Sequence, residues 1–579
     1  MAANKVFRSD DRGNTWQVIS DDITRKLPRD KWPVMGRYWG VDAVAKNVST
    51  SLFGMAVSLA ESPVQEDLVY VGTDDGLIQV TEDAGKSWTK IASFAGVPRY
   101  TYVSDILPSK HNAQVVFASF DNRKRDDFTP YLLMSSDKGK TWKSIAGNLP
   151  KNGTVHTIEQ DFVNPDLLFA GTEFGVFFST NKGRTWTQLK EGIPTIAIRD
   201  MVIQKRESDL VLASFGRGFY ILDNYAPLRD IDKVQTANKA HIFPIKDALL
   251  YIQKARGGYG FGSMPWRAKN PPFGATITYY LPDVPKTKQQ IRREKEKELI
   301  KAKAPIPIPS PRELQAEKNE IPPYLLFTIT DKKGNIVRKI THKATKGIHR
   351  ITWNLRTLWD DPVYPLEKFN PTKNQQTGLL VLPGEYQVSM DLIQAHQTSR
   401  LVENIPFIVK RLQNSILPAE DEKALADFQL KLKELARITW GTSSLRNELE
   451  KKINSLMKVA LTSNTVPQTI LERLEKIQVD LRTIKWQLNG EQAKASYEEI
   501  QPAPMAILPR LNAIIYVHNQ STSALTQKQV DAYQILKKRL MPIINRLNEI
   551  ETQEIPEIDK ILNTHRAPWT SGRVLQFSK

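Results

Sequence analysis

The sequence has 579 residues, of which 40% are hydrophobic and 25% charged, a composition typical of folded soluble proteins. It excludes wholesale disorder and a collagen-like chain, and the absence of cysteine excludes disulfides, thiolate nucleophiles and Cys-ligated zinc. The formal net charge of +18 is spread along the chain, so nucleic acid is not an expected partner. No apolar run reaches the roughly 20 residues of a membrane helix, so no membrane span is expected.

An octapeptide of pattern [ST]-x-[DN]-x-G-x-[ST]-W occurs four times in the first third of the chain. The copies are SDDRGNTW (9–16), TEDAGKSW (81–88), SSDKGKTW (135–142) and STNKGRTW (179–186). Their starts lie 72, 54 and 44 residues apart, close to the length of one β-propeller blade with variable loops. The repeat therefore predicts a β-propeller.

Each octapeptide has the composition of a tight hairpin corner. The Asp or Asn accepts hydrogen bonds from its own turn, the Gly supplies a positive φ, and the Trp packs between neighbouring sheets. The predicted structural residues are Asp11, Gly13, Trp16, Asp83, Gly85, Trp88, Asp137, Gly139, Trp142, Asn181, Gly183 and Trp186. Asn in the last copy favours a structural role over a catalytic or calcium-binding one.

Short β-rich runs precede the complete octapeptides and supply further strands of each blade. They span 68–83, 115–137 and 168–180, and a fifth run, 210–224, ends without an octapeptide. Residues 1–225 are thus expected to form about four to five blades. The first unit keeps only its last strands, so we expect the propeller to be incomplete at its N-terminal side.

The octapeptides resemble the Asp-box (BNR) repeats of sialidases, xyloglucanase-type glycosidases and sortilin-type propellers. The segments VYVGTDDGLIQVTEDAGKSW, DNRKRDDF, FAGTEFGVFFST and SFGRGFYILDNYAPLR resemble exported bacterial BNR proteins catalogued as sortilin-type or glycosyl hydrolase. The resemblance implies an extracellular or periplasmic location. It also implies the C-terminal portion of a longer protein, with the missing blades or another chain as a partner.

A connector (226–264) with the Gly-rich segment 256–262 follows, and strand patterns then resume within 265–411. Runs at 275–281, 324–331, 347–356, 384–392 and 404–411 predict an antiparallel sandwich that resembles an immunoglobulin-like domain. A charged and Pro-rich insertion, 284–320, carries eight basic and three acidic residues between 286 and 303. It is interpreted as a surface excursion or as a docking arm for an acidic partner.

From 412 to 579, apolar residues recur at spacings of three and four, which predicts helices. The expected helices are 419–459, 467–488, 505–518 and 526–550, packed as an antiparallel bundle. Pro467 and Pro504 mark helix starts and Gly490 a helix end. The whole chain is therefore predicted as a mainly β multidomain protein: partial propeller, sandwich and C-terminal helical bundle.

A glycosidase requires two carboxylates that face each other across a sugar. The weak catalytic candidates are Asp105, Asp121, Glu159, Asp161, Glu173 and Asp200. Sialidase chemistry is disfavoured, because Arg99, Arg199 and Arg217 lack an accompanying Arg-Ile-Pro signature. The histidines are not at metal-ligand spacing and there is no HExxH, GxSxG or GxxxxGK[ST] motif, so neither a metal nor a cofactor is predicted.

Polar and aromatic residues near the ends of predicted inner strands form the candidate ligand site. The set is Arg99, Tyr100, Tyr102, His156, Glu159, Glu173, Phe174, Arg199, Asp200, Arg217 and Phe219, expected on the face opposite the octapeptides. The alternative is that they only bridge blades. The leading hypothesis is a non-catalytic recognition protein that binds a glycan or peptide; the competing one is a glycoside hydrolase.

Overall fold

The computed structural model describes residues 4–28, 31–43, 53–253, 268–363, 370–373, 377–395, 397–412, 419–492, 495–499 and 503–574. The chain divides into two compact units, Met1–Ala237 and Asn238–Lys579. It is mainly β, with a helical C-terminal region. The Gly-rich segment 256–262 lies outside the described residues.

The first unit is a succession of antiparallel sheets. Sheet I has strands β3 (Ala56–Glu61), β4 (Val69–Thr73), β5 (Ile78–Thr81) and β6 (Thr89–Ile91); sheet II has β7 (Tyr102–Pro108), β8 (Val116–Asn122), β9 (Asp127–Ser135) and β10 (Lys143–Ser144). Sheet III has β11 (Val155–Gln160), β12 (Leu168–Thr172), β13 (Gly175–Ser179) and β14 (Thr187–Leu189); sheet IV has β15 (Ile198–Gln204), β16 (Asp209–Ser214) and β17 (Phe219–Leu222). A short hairpin, β1 (Phe7–Arg8) and β2 (Gln17–Val18), precedes sheet I, and helix α1 (Ile231–Ala237) ends the unit.

The four sheets pack face to face in chain order, and their first strands are neighbours: β3 with β7, β7 with β11, and β11 with β15. The core between sheets I and II joins Tyr70 and Ile78 to Val103 and Phe120. Gly72 permits this approach, because a Cβ there would lie 2.5 Å from Cγ1 of Val103. Such stacking of small antiparallel sheets along their first strands is propeller-like.

The octapeptides form the corners between third and fourth strands. Asp137 accepts from the Thr141 amide at 2.8 Å and hydroxyl at 2.6 Å, while Ser135 Oγ accepts from the Gly139 amide at 2.8 Å. Gly139 has φ of 91°, the left-handed region that glycine enters without a Cβ penalty. The hydrogen bonds from Ser135 and Thr141 lower the pKa of Asp137 to about 2.

The sandwich in the second unit consists of two sheets around one core. The smaller sheet has strands β18 (His241–Ile242), β20 (Ala275–Leu281) and β23 (Gly347–Trp353). The larger has the order β19 (Ala248–Leu250), β25 (Gln397–Arg411), β24 (Gly384–Gln394), β21 (Tyr324–Asp331) and β22 (Ile336–Lys343). Ile277 and Trp353 from one sheet share a core with Phe327 and Val388 from the other.

The insertion between β20 and β21 folds into two exposed helices, α2 (Lys288–Lys301) and α3 (Pro311–Asn319). Both start with a capping box, at Thr287 and Ser310. Arg292 links the helices by donating to both carboxylate oxygens of Glu317, at 2.7 and 2.8 Å. These bonds lie at the surface, so they order the insertion without adding to a core.

The C-terminal helices are α4 (Glu422–Thr462), α5 (Gln468–Asn489), α6 (Ile507–Gln520), α7 (Gln527–Glu549) and α8 (Ile555–Thr564). Their apolar stripes meet in one core that also takes in Trp359. Asp421 caps α4 by accepting from the Ala424 amide at 2.8 Å, and Gly490 follows α5 with φ of 78°. Within the described residues, no helix has the length and apolarity needed to cross a membrane.

Candidate functional site

The first strand of each of sheets I to IV contains a bulge at the same position. Pairing with the second strand skips one residue in sheets I to IV: Val57, Ser104, His156 and Arg199 respectively. It resumes at Ser58, Asp105, Thr157 and Asp200. A bulge re-aims side chains locally and is over-represented beside functional sites.

On the second strand of sheets I, II and III, an acidic residue follows the partner of the last first-strand residue before the bulge. Strand pairing and the adjoining backbone bonds make Asp74, Asp121, Glu173 and Phe215 equivalent. Because the strands are antiparallel, these turns lie at the same end as the bulges and at the opposite end from the octapeptide corners. We call this end, formed by the starts of first strands and by the turns between second and third strands, the turn face.

A charged network links sheets II, III and IV on the turn face. Arg123 donates to Asp121 (Nη2 to Oδ2, 2.9 Å) and to Glu173 (Nη1 to Oε2, 3.0 Å). His156 Nε2 lies 2.9 Å from the same oxygen of Glu173, and Arg199 Nη1 lies 3.1 Å from His156 Nδ1. The His156 side chain is 4% exposed and that of Glu173 32%, so the network opens to solvent at Glu173.

Burial lowers the pKa of His156, and the positive charges of Arg199 and Arg123 lower it further. The hydrogen bond with Glu173 raises this pKa but is outweighed. Its imidazole is therefore neutral at pH 7. Burial would raise the pKa of Asp121, but the hydrogen bonds from Arg123 outweigh it and the pKa is lowered. Asp121 is an ionised acceptor and not a proton donor near neutral pH.

Asp105 has a different environment. Burial, with the charge of Asp200 in addition, raises its pKa to about 6, although hydrogen bonds oppose the shift. Its Oδ2 accepts from the Thr157 hydroxyl at 2.9 Å and the Ile158 amide at 3.0 Å, which ties sheet II to sheet III. Asp200, at the equivalent position of sheet IV, is exposed and accepts from the Met201 amide at 2.8 Å.

Glu159 and Asp161 lie at the other end of β11. Lys110 Nζ is 2.5 Å from Glu159 Oε1, and Asp161 accepts from Arg229 at 2.8 and 2.9 Å and from the Tyr225 hydroxyl at 2.5 Å. The structure therefore does not bring these two carboxylates together with His156. Residues three or more apart along an extended strand are separated by roughly 10 Å or more, which the sequence-based grouping of Glu159 with His156 overlooked.

The remaining candidates lie around the network. Burial and the carboxylates of Asp74 and Asp121 raise the pKa of Tyr102. Arg199 lies over Phe215, with 5.1 Å from Cζ to the ring centroid. The other members are exposed side chains or ring contacts on the same face: Arg99, Tyr100, Phe174, Arg217 and Phe219.

Sequence reasoning included neither Arg123 nor Asp74 among the site residues. The signal for Asp74, Asp121 and Glu173, which we call the acidic row, was present in the segments GTDDG, SFDNR and GTEFG, and the corresponding segment of sheet IV is ASFGR; the third residue of each segment is the equivalent one. Aligning second strands, and not only octapeptides, would have found it. Among the described residues, no group of three or more His, Asp or Glu is arranged to hold a metal ion.

No protein-family model matches the chain. The chain is 24% identical over 202 residues to the xyloglucanase Xgh74A of Acetivibrio thermocellus. The match covers 31% of this chain and 20% of that enzyme, so the chain spans about a fifth of the relative's length.

Three solved structures show remote likeness. An ancestral GH74 enzyme is 13% identical with a TM-score of 0.29, covering 59% of this chain and 36% of its own. The GH74 enzyme of Niastella koreensis is 17% identical with a TM-score of 0.24, covering 30% and 29%. YCF48 bound to D1 peptide is 13% identical with a TM-score of 0.24, covering 29% and 51%.

Proposed function

We propose that the turn face recognises a glycan without hydrolysing it. The observation that carries the proposal is the network through Arg123, in which Asp121, Glu173 and His156 are fixed by one another and open to solvent at one edge. Fixed donors and acceptors flanked by aromatic rings are what a polar ligand requires for orientation and affinity. Tyr102 and Phe174 supply such rings on this face.

Recognition suits the charges of the network better than hydrolysis does. A glycosidase of the common two-carboxylate type needs one carboxyl with a raised pKa to protonate the leaving group. Arg123 instead holds the pKa of Asp121 low, and burial keeps His156 neutral. Asp121 and Glu173 both bind the same guanidinium, so they act as acceptors in one rigid array.

The second candidate function is glycoside hydrolysis, and Asp105 favours it. Its pKa of about 6 keeps part of its population protonated near neutral pH, and the charge of Asp200 contributes to that shift. Against it, Asp105 Oδ2 is engaged by Thr157 and Ile158 of the next sheet. Hydrolysis of a glycan by the purified chain that is lost in both Asp105→Asn and Asp200→Asn would establish this function instead.

The binding test uses a glycan array followed by calorimetry on the best neutral oligosaccharide, a xyloglucan fragment among the probes. Glu173→Gln keeps the size of the side chain but removes the charge that His156 and Arg123 contact, so we expect at least tenfold weaker binding. Glu66→Gln, an exposed change in the turn between β3 and β4 at the opposite end, is the control. Equal affinity of both variants, or binding to a peptide array only, would contradict the proposal.

We further propose the finer assignments suggested by resemblance: Asp-box corners, a sortilin-like propeller, an immunoglobulin-like sandwich and an extracellular or periplasmic location. A partner sheet is also proposed, because sheet IV exposes Val202 (57%), Phe219 (73%) and Ile221 (58%) on one side. Its test is the oligomeric state and aggregation of the isolated chain. A monodisperse monomer unaffected by Ile221→Lys would argue against that partner.

A further inference from the structure

Three arginines surround the ring of Tyr100 at one edge of the turn face. The distances from Cζ to the ring centroid are 5.0 Å for Arg25, 4.6 Å for Arg99 and 5.6 Å for Arg125. Trp32 approaches the same ring edge-on, with 5.7 Å between centroids. We call Arg25, Arg99, Arg125 and Tyr100 the arginine cage.

The cage is held in place by the backbone. Arg25 donates from its guanidinium to the carbonyls of Asp75, Gly76 and Ala92, at 2.7, 2.8 and 2.9 Å. Arg125 Nη1 donates to the Arg99 carbonyl at 2.7 Å. Tyr100 has φ of 67°, a conformation that non-glycine residues rarely adopt and that is found disproportionately at functional sites.

The three guanidiniums are cations without direct neutralisation. Within the part of the chain that the structure describes, no carboxylate lies within 4.0 Å of any of them, whereas Arg123 nearby has two such partners. Asp75 also contacts Arg25, but its carboxylate accepts from the backbone amide of Arg25, at 2.7 Å, and not from the guanidinium. Burial lowers the pKa of Arg25. The charge of Asp75 raises this pKa and that of Arg99 lowers it, and the net shift is downward.

Clustered like charges destabilise a fold unless a counter-charge offsets them. Guanidinium groups match planar and tetrahedral oxyanions through paired N–H donors, and the ring of Tyr100 orients them. Arg99 and Arg125 are exposed, so their free donors are accessible to a ligand. An oxyanion is the group that this arrangement fits.

We propose that the arginine cage binds a carboxylate or sulfate substituent of the ligand, so that the ligand of the turn face is an anionic glycan. This inference rests on the proposed function, because the cage adjoins the acidic row at Asp74, where Arg25 donates to the carbonyl of the next residue, Asp75, at 2.7 Å. The acidic row repels a second anionic group. The ligand is therefore oriented, with its charged substituent at the cage and its hydroxyls toward Asp121 and Glu173.

The test compares three probes by calorimetry: a heparin hexasaccharide with sulfate and carboxylate, its desulfated form with carboxylate only, and a neutral xyloglucan oligosaccharide. We expect the wild type to bind an anionic probe at least tenfold more tightly than the neutral one, with affinity that falls as salt rises. The comparison of the first two probes identifies which oxyanion is preferred.

The double variant Arg99→Ala/Arg125→Ala should lose the preference for anionic probes and most of the salt dependence. Arg206→Ala, which removes an exposed charge in the turn between β15 and β16 at the opposite end, is the matched control and should keep both. Arg99→Lys keeps the charge but not the paired donors, so it should bind the anionic probes less tightly than the wild type and more tightly than the double variant. Equal preference in wild type and double variant would overturn the inference.

Failure of the cage and failure of the proposed function give different results. Neutral glycan binding that depends on Glu173 but not on the arginines retains the function and rejects the cage. If no glycan binds, inorganic sulfate at matched ionic strength replaces the oligosaccharides, and the rise in Tm is compared between wild type and the double variant. A larger rise in the wild type supports an anion site without a glycan, and equal rises reject it.

Discussion

Sheet III and the β1–β2 hairpin contain the same octapeptide corner in opposite environments. Trp186 at the sheet III corner is 4% exposed and donates to the Ile145 carbonyl of the preceding sheet at 2.8 Å. Trp16 at the first corner is 58% exposed and donates only to Gly13 in its own turn, at 3.1 Å. The corner bonds are otherwise alike: each Asp or Asn accepts from the amide four residues on, at 2.8 or 2.9 Å.

The comparison separates two roles that the repeat combines. The Asp, Gly and Ser or Thr positions fix the turn by local hydrogen bonds, which form whether or not another sheet is adjacent. The Trp contributes to stability only where a neighbouring sheet covers it, because the gain from burial scales with the apolar area removed from water. The repeat therefore identifies a corner, and its neighbours determine its energetic weight.

Substitution of the two tryptophans tests this separation with the largest effect. Trp186→Ala should lower the free energy of unfolding by about 3–5 kcal/mol, since it empties a large buried aromatic site. Trp16→Ala should cost less than about 1 kcal/mol, because most of the ring is already in water. The measurement is urea denaturation, and similar costs at the two sites would contradict the comparison.

The close approach of neighbouring sheets predicts the next largest effect. At Gly72 an added Cβ would lie 2.5 and 2.9 Å from Val103 side-chain atoms, so Gly72→Ala should cost about 1–3 kcal/mol. Gly40→Ala, where no atom lies within 4 Å, is the control and should change stability by less than about 0.5 kcal/mol. Sheet IV already has Ala213 at the position equivalent to Gly72. An unchanged stability in Gly72→Ala would show that sheets I and II pack less tightly than these distances imply.

Much of this architecture is visible in the sequence, for identifiable reasons. The strands 275–281 and 324–331 have the expected bounds because β-branched, aromatic and other apolar residues run through them without a Gly, a Pro or a basic residue. Strand β22 (Ile336–Lys343) was missed because three basic residues interrupt its apolar pattern. Helix α8 was missed because the chain stays helical through a π-type segment, Ile550–Glu554, that no local signal marks.

The site was only partly predictable. His156, Glu173 and Arg199 were placed together because each lies near the start or turn of a first or second strand. Arg123 could not be assigned to the site in this way, because its side chain contacts Glu173 only by extending from sheet II to sheet III. Register within a sheet is encoded locally, whereas ion pairs between sheets are a result of packing.

Asp105 in sheet II should make stability depend on pH, whereas the equivalent residue of the last sheet, Asp200, is exposed. Folded Asp105 has a pKa of about 6, above the ordinary 3.8, so the folded state retains a proton that the unfolded chain releases. Stability should therefore fall as pH rises from about 4 to 6, and the loss should persist above pH 6. Asp105→Asn should remove this decline and gain about 1–2 kcal/mol at pH 7, allowing for solvent access.

The control for this titration is Glu66→Gln, which neutralises an exposed carboxylate in the turn between β3 and β4 at the opposite end. It should shift the stability curve by less than about 0.5 kcal/mol at any pH between 4 and 7. Chemical denaturation at half-unit pH intervals measures both variants. Parallel curves for wild type and Asp105→Asn would show that Asp105 carries no proton-linked stability.

The smallest expected effect concerns the corner carboxylate, where Asn181 already provides a natural comparison. Asn181 Oδ1 accepts from the Thr185 amide at 2.9 Å, and its Nδ2 donates to the Thr185 hydroxyl at 2.7 Å. Asp137→Asn can form the same pair with Thr141 once that hydroxyl reverses from donor to acceptor, so it should cost less than about 0.5 kcal/mol near pH 7. Asp137→Ala loses these two bonds and the one from the Ser135 hydroxyl at 2.7 Å, and should cost about 1 kcal/mol. Because the pKa of Asp137 is lowered to about 2, its stabilisation is present above pH 3.8 and declines toward pH 2, a dependence that Asp137→Asn should lack. An Asn variant as unstable as the Ala variant would show that the negative charge, and not the hydrogen-bonding shape, maintains this corner.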